Sequence, residues 1–363
     1  MVKTIWVQVP SRAPPFKLKA GISAFFLTHS SIRCVSQEEN TDLPAFSLKW
    51  WLLPKSLIWA FFCRLLIHKM CFTRRKYQSA GFLWNGIIIY MNILYCGDKG
   101  IARGVLVSVL SLLKYNTQSL NIYIMTINYK DTAAFTEKSA KFLDKLVKEK
   151  NAKSFVKLID ATEVFVKNLP KKNMGSYFTP CSMLRLYMDK VPEIAKLDRV
   201  LYLDYDVVCR ADISEFYNMD LTGIEAAGVL DIYGKNFYHY NGLLNFDYMN
   251  SGVMLFNMPE CIKTGMFERA VKMCASKRMM LADQAALNKS ISRRKLVVRK
   301  YNEQGERPKK DTVLHHFSNN FKFFPYFRVQ KVKPFEVEKI HKVLKITEYD
   351  DILKEYKKLK DNL

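Results

Sequence analysis

From Met91 onward, short apolar runs alternate with segments of helical spacing, and this alternation restricts the fold more than any other feature of the chain. NILYC (92–96) is a compact apolar run closed by Gly97-Asp98, and IARGVLVSVLSLLKY (101–115) follows with a helical period. LNIYIMTI (120–127) alternates like a strand, FTEKSAKFLDKLVKEKN (135–151) has a helix period with a charged outer face, and SFVKLID (154–160) reads as a further strand. Strands that alternate with helices imply βαβ units and a mainly parallel sheet. Ligands of such sheets bind beyond the carboxyl ends of the strands. Asp98, Asp160 and Asp204 all stand at strand ends, which points to a nucleotide-type site.

The most pointed of these ends lies within DRVLYLDYDVVCRADI (198–213). Val200, Leu201 and Leu203 lead into Asp204-Tyr205-Asp206, after which Val207 and Val208 are apolar again. Ionised carboxylates are costly to bury unless something neutralises them. With the intervening residue turned inward, the two carboxylates can face one point, and oxygen ligands of this kind suit Mg²⁺ or Mn²⁺ beside a phosphate. A nearby imidazole shifts the preference toward Mn²⁺. A solvated turn is the plainer reading of so short a motif.

Downstream, the pattern predicts a helical turn over 212–217 and a strand over 225–231, followed by a Tyr/Asn-rich loop (233–248). A strand over 248–258, a helix over about 260–277 and another over 281–291 come next. TVLHHFS (312–318) brings in two histidines, and residues 331–363 form a basic helical tail. That tail is read either as a solvated helix face or as a peripheral contact with anionic lipid.

The first ninety residues differ in kind. They contain all five tryptophans (Trp6, Trp50, Trp51, Trp59, Trp84) and no sustained period. WWLLPKSLIWAFFCRLLI (50–67) is interrupted by Pro54, Lys55 and Arg64, and falls short of the roughly 20 apolar residues of a spanning helix. WVQVPSRAP (6–14) resembles the translated end of a tRNA gene. The expectation is that Met91 starts the fold and that 1–90 is a poorly ordered or non-native extension.

The formal charge of +23 raises a nucleic-acid or membrane reading. No recognisable nucleic-acid-binding motif accompanies it, so no specific nucleic-acid partner is expected. The eight cysteines form no CxxC pair or disulfide framework, which suits a reducing, cytoplasmic setting.

Taken in order, six segments over 91 to about 324 resemble glycosyltransferase family 8, the retaining enzymes that include bacterial lipopolysaccharide galactosyltransferases and glycogenin. MNILYCGDKG is similar to the family's nucleotide-binding strand, SMLRLYM (182–188) to its Arg-bearing segment, and RVLYLDYDVVCRADI to its strand with the DxD motif. YMNSGVMLFNM (248–258) resembles its Asn-(Ala/Ser)-Gly strand, LADQAALN (281–288) its Asp-Gln-Asp helix start, and LHHFSNNFKFF (314–324) its His-x-x-Gly-x-x-Lys-Pro-Trp segment.

The resemblance implies a GT-A fold, a Rossmann-like mixed and mainly parallel α/β sheet flanked by helices, over residues 91–330. It implies metal-dependent transfer of glucose or galactose from a UDP-sugar to a hydroxyl of a glycan, glycolipid or glycoprotein. Asp204, Asp206 and His316 would hold Mn²⁺ (or Mg²⁺), His316 because Lys322 follows it at the family's spacing. Lys322 would meet the diphosphate, while Gly97, Asp98 and Tyr205 would contact the nucleotide. Arg185, Asp231, Asn250, Ser251 and Asp283 would surround the donor sugar, with Gln284 next to the anomeric carbon and Asp283 as the alternative nucleophile. Asn319 stands where the family has Gly, Ala285 where it has the second Asp, and Phe323-Phe324 where it has Pro-Trp. Two rival classes are a nucleotide-hydrolysing enzyme using the same acidic pair, which lacks G-x-x-x-x-G-K-[ST], and a basic membrane- or RNA-associated protein without catalysis.

Overall fold

The structure is a computed structural model that describes residues 90–174, 180–233, 247–322, 326 and 328–363, together with the backbone of short strands before Tyr90. The chain divides into two units, Met1–Gln78 and Ser79–Leu363. In the first unit the described residues form two antiparallel pairs, Ile5–Trp6 with Lys17–Leu18 and Phe25–Thr28 with Ser31–Cys34. The expectations for order and membrane insertion over the rest of 1–89 lie outside the described residues.

The second unit is built on a seven-stranded sheet. Its strands are β1 (Tyr90–Cys96), β2 (Ser119–Thr126), β3 (Phe155–Asp160), β4 (Arg199–Leu203), β6 (Ala226–Leu230), β7 (Met249–Asn257) and β8 (Arg294–Leu296), with β5 (Val207–Cys209) lying outside the sheet. The order is β8-β6-β7-β4-β1-β2-β3. Only β7 runs against its neighbours; the pairs β4·β1, β1·β2, β2·β3 and β6·β8 are parallel.

Strand alternation divides the core between the two faces of this sheet. Ile93, Tyr95, Leu201 and Leu203 join one apolar cluster with α1 (Ala102–Tyr115), while Leu94, Cys96, Val200 and Tyr202 join a second. Residues at i and i+2 share a face, so interior strands covered on both sides read as continuous apolar runs. Helix α1 buries nearly its whole circumference. By contrast α2 (Glu137–Lys150) buries only Ser139, Ala140, Leu143 and Val147, and its start is capped by Thr136, whose hydroxyl accepts from the Ser139 N–H.

The helix predicted over 260–277 is two helices, Met258–Thr264 and α3 (Met266–Ser276). Gly265, at φ +65°, takes the left-handed conformation that ends one and starts the next. Helix α4 (Ala282–Ser290) and the kinked 3-10 segment Pro180–Lys190 pack with α3 over the second face. The C-terminal segment is helical over α5 (Asp350–Leu359) and buries Ile352, Leu353 and Tyr356 in the first cluster. Its Lys354, Lys357 and Lys358 remain exposed.

Candidate metal and donor site

Strand β4 lies at the centre of the sheet, between parallel β1 and antiparallel β7. Its end is fixed by the Asp204 N–H, which donates to the Gly252 carbonyl of β7 at 2.8 Å. A turn follows, and β5 pairs antiparallel with β9 (Leu314–His316) in the register Val207↔His316. That pairing carries His316 from more than a hundred residues away to the side of the two carboxylates. His316 Nε2 is 3.3 Å from Asp206 Oδ1 and 3.7 Å from Asp204 Oδ2.

One ligand atom from each of Asp204, Asp206 and His316 lies within 4.8 Å of the others, and among the described residues no other group of His, Cys, Asp and Glu converges in this way. Asp206 Oδ1 and His316 Nδ1 are buried without hydrogen-bond partners. Two carboxylate oxygens and an imidazole, with an orphaned oxygen between them, fit a hard or borderline divalent cation. Gly252 completes the fit: a Cβ there would lie 2.3 Å from His316 Cε1 and 2.8 Å from Asp204 Oδ2. Only a residue without a side chain lets β7 pass so close.

Two cations from the chain flank the cluster. Arg185, in the 3-10 segment, donates from Nη2 to Asp204 Oδ1 at 2.9 Å and from Nη1 to the Ser251 carbonyl at 2.8 Å. Its Nε sits 3.4 Å from Asp283 Oδ2, and its guanidinium stacks 4.2 Å over the Tyr202 ring. The Tyr202 hydroxyl donates to Asp204 Oδ1 at 2.6 Å. On the other side Lys333 Nζ stands 2.5 Å from Asp206 Oδ2 and 3.3 Å from the Phe317 carbonyl.

These charges set the protonation states. Burial by itself raises the Asp206 carboxyl, but the Lys333 ammonium and the His316 imidazole outweigh it and hold the group far below the usual carboxylate range. Asp283 behaves oppositely. Its burial prevails over the lowering pull of Arg185, so its carboxyl titrates above the usual range.

Beside the cluster lies a buried amide network. Asp231 Oδ2 accepts from Asn250 Nδ2 at 2.9 Å and from Gln284 Nε2 at 3.2 Å. Gln284 Oε1 in turn accepts from the Ser251 N–H and hydroxyl at 2.9 and 3.1 Å. Arg185, Asp204, Asp206, Asp231, Asn250, Ser251, Asp283, Gln284 and His316 are therefore brought to one end of the sheet.

Gly97 and Asp98 lie at the neighbouring end of β1, where Asp98 Oδ1 accepts from the Gly100 N–H at 2.8 Å and caps a single 3-10 turn. The Tyr205 ring lies 5.7 Å from Lys333 Nζ. Lys322 closes strand Asn320–Lys322, and its side chain lies outside the described residues. His315, one residue from the metal cluster, points the other way into the core, with its ring nitrogens 2.8 Å from the Tyr349 hydroxyl and 2.9 Å from the Gly305 carbonyl.

Sequence reading missed Lys333, Gly252 and Tyr202. A signal for Lys333 existed: Lys333-Pro334-Phe335 is nearer to Lys-Pro-Trp than Lys322-Phe323-Phe324 is. The spacing from His316 hid it, because the chain between them is longer than the motif allows.

The model of glycosyl transferase family 8 matches residues 92–334. The chain belongs to glycosyl transferase family 8. Among its relatives, a lipopolysaccharide 1,2-glucosyltransferase of Escherichia coli is 26% identical over 220 residues, 58% of this chain and 62% of that protein. A lipopolysaccharide 1,3-galactosyltransferase of Salmonella typhimurium is 27% identical over 227 residues, 59% and 63% of the two chains. This member of the family thus spans less than two thirds of the length of these curated relatives. A crystal structure of the galactosyltransferase LgtC with donor and acceptor sugar analogues superposes with a TM-score of 0.54 at 14% identity, covering 75% of this chain and all of that one. That likeness shows the GT-A fold. Among the described residues, no helix of this family 8 chain is long and apolar enough to cross a membrane.

Proposed function

We propose that this family 8 chain is a retaining glycosyltransferase that moves glucose or galactose from a UDP-sugar to a hydroxyl acceptor with the help of Mn²⁺ or Mg²⁺. The observation that carries the reading is the buried Asp204–Asp206–His316 cluster adjoining the amide network around Asp231. Asp204, Asp206 and His316 would hold the ion, which when bound supplies Lewis-acid stabilisation of charge on the departing diphosphate.

The remaining work falls to the chain. Lys333, and Lys322 with it, would present ammonium charges to the diphosphate. Gly97, Asp98 and Tyr205 would bind the nucleotide at the end of β1 and β4. Arg185 would fix Asp204 on one side and Asp283 on the other, while Asp231, Asn250 and Ser251 hold the sugar's hydroxyls. Ordinary retaining glycosidases place a nucleophilic carboxylate at the anomeric carbon. Here the candidate neighbour, Gln284, is a weak nucleophile with both ends of its amide already hydrogen-bonded. A same-face displacement is the favoured course, the diphosphate taking the acceptor proton, with Asp283 as the alternative nucleophile.

The activities of the lipopolysaccharide glucosyl- and galactosyltransferase relatives suggest a lipopolysaccharide acceptor; other glycans, glycolipids and glycoproteins carry the same kind of hydroxyl. A cytoplasmic location follows from such an acceptor, with the exposed lysines of α5 offering peripheral contact to an anionic leaflet. The test is a panel of nucleotide sugars incubated with protein and Mn²⁺, followed by an acceptor screen. Release of UDP from UDP-hexoses supports the reading. No turnover together with salt-sensitive RNA binding contradicts it.

A further inference from the structure

Asn302 and Gln304 take part in none of the chemistry above, yet both are buried and both reach into the amide network from behind. Residues 302–304 run beside β9. The His316 N–H donates to the Glu303 carbonyl at 2.9 Å, and the Glu303 N–H donates to the Leu314 carbonyl at 2.9 Å. With the backbone of this segment tied to the strand of the metal-cluster histidine, the two side chains flanking Glu303 turn the other way. Asn302 Nδ2 donates to Asn250 Oδ1 at 2.9 Å. Gln304 Nε2 donates to the Leu230 carbonyl at 3.0 Å, and its Oε1 accepts from the Ile232 N–H at 3.2 Å. Gln304 thus clamps the chain on both sides of Asp231.

The directions of the Asn250 and Gln284 amides are set by one carboxylate, and that of Gln304 by the backbone on either side of it. Asp231 Oδ2 can only accept, so Asn250 and Gln284 must both present NH₂ to it. Asn250 Oδ1 is then turned away. It accepts from the Gly252 N–H at 3.0 Å and needs a donor, not an acceptor, from residue 302. A fully buried asparagine is the small side chain that supplies it, and its own Oδ1 is left without a hydrogen-bond partner.

We infer that Asn302 and Gln304 are positioning residues for donor-sugar selection: they lock Asn250 and Asp231 in the single arrangement that reads the sugar's hydroxyls, and they tie that arrangement to the strand carrying His316. This rests on the donor-pocket reading proposed above. A site that hydrogen-bonds a hydroxyl in a fixed direction rejects the epimer that leaves its groups unpaired. Loosening Asn250 and Asp231 lets the pocket accommodate either epimer without touching the nucleotide end of the site.

The test uses two isosteric variants, Asn302→Asp and Gln304→Glu. The first replaces the donor facing Asn250 Oδ1 by an acceptor and forces that amide to turn, withdrawing its N–H from Asp231. The second removes the donor to the Leu230 carbonyl. For each protein, UDP-glucose and UDP-galactose hydrolysis, UDP affinity by calorimetry and Mn²⁺ affinity by electron paramagnetic resonance are measured. The expected result is a fall of about tenfold in the ratio of kcat/KM for the two epimers, with UDP and Mn²⁺ affinities within about twofold of the parent protein. Three results overturn the inference: an unchanged ratio in both variants, a parallel loss of UDP and Mn²⁺ binding that marks a merely structural role, or a parent protein that does not discriminate. A parent protein that hydrolyses neither donor overturns the donor-pocket reading itself, and the two failures are thereby told apart.

Discussion

Lys333 and Asp206 are 127 residues apart in sequence and 2.5 Å apart in space. Asp206 is buried and points its other oxygen at His316. The ammonium therefore supplies positive charge to the same carboxylate that a divalent ion would ligate. Removing one partner of a buried pair leaves the other uncompensated, at about 3–5 kcal/mol. Because Lys333 is partly exposed, Lys333→Met should lose about 3 kcal/mol of stability in EDTA, and visibly less in Mn²⁺, where the ion compensates Asp206. Urea unfolding in the two buffers measures this, and equal losses would argue against a shared carboxylate.

The approach of Gly252 to His316 gives a second expectation. Gly252→Ala would press a methyl group onto the imidazole and the Asp204 oxygen. Mn²⁺ affinity should drop about tenfold or more, as it does when groups that orient ligands are disturbed. Electron paramagnetic resonance of the free ion reads the affinity, and circular dichroism verifies that the sheet is intact.

Arg185 cannot be replaced by another cation. Its fork serves Asp204, Asp283 and the Ser251 carbonyl together, whereas a lysine is a single point charge. Arg185→Lys should cost about 2 kcal/mol or more in transition-state stabilisation, seen as a drop in kcat/KM for donor hydrolysis.

His315 sets a pH limit on stability. Burial pushes its imidazole down to about 4, while the unfolded chain titrates near the ordinary value of 6.5. A group depressed in this way contributes stability that is fully present above pH 6.5 and is lost as pH falls from there toward 4, where the unfolded state binds the extra proton. The loss is on the order of 3 kcal/mol. In His315→Gln this component should vanish, so the difference in unfolding free energy between the two proteins should shrink between pH 7.5 and pH 4.5. A constant difference would mean that His315 is not buried as a neutral ring.

Much of this site was legible in the sequence because the strands that carry it are local patterns. The run from Val200 to Leu203, the alternation of 120–127 and the apolar 248–258 segment each report a strand, and Asp204, Asp206, Asn250 and Ser251 sit at or near their ends. The roles of His316, Arg185, Asp231, Asn250, Ser251, Asp283 and Gln284 were reached through family resemblance alone, since nothing local distinguishes them. What stayed hidden depends on tertiary contact. Strand pairing Val207↔His316 cannot be read from either segment. Gly252 matters only because β7 passes against an imidazole, and Lys333 only because the chain returns to bring its ammonium to Asp206. Gly265 was legible in principle, as a glycine inside a helical pattern, but a break and a tolerated glycine look alike until φ is known.

On the proposed reading, Asp204, Asp206 and His316 hold a divalent ion on which sugar transfer depends. The most direct measurement is UDP release from UDP-glucose and UDP-galactose, before and after EDTA treatment and after Mn²⁺ is restored, in the parent protein and in Asp204→Asn and Asp206→Asn. Release should stop in EDTA, return with Mn²⁺ in the parent protein, and remain absent in both variants. Full turnover in EDTA, or in either variant, would mean that transfer does not depend on an ion held by these residues.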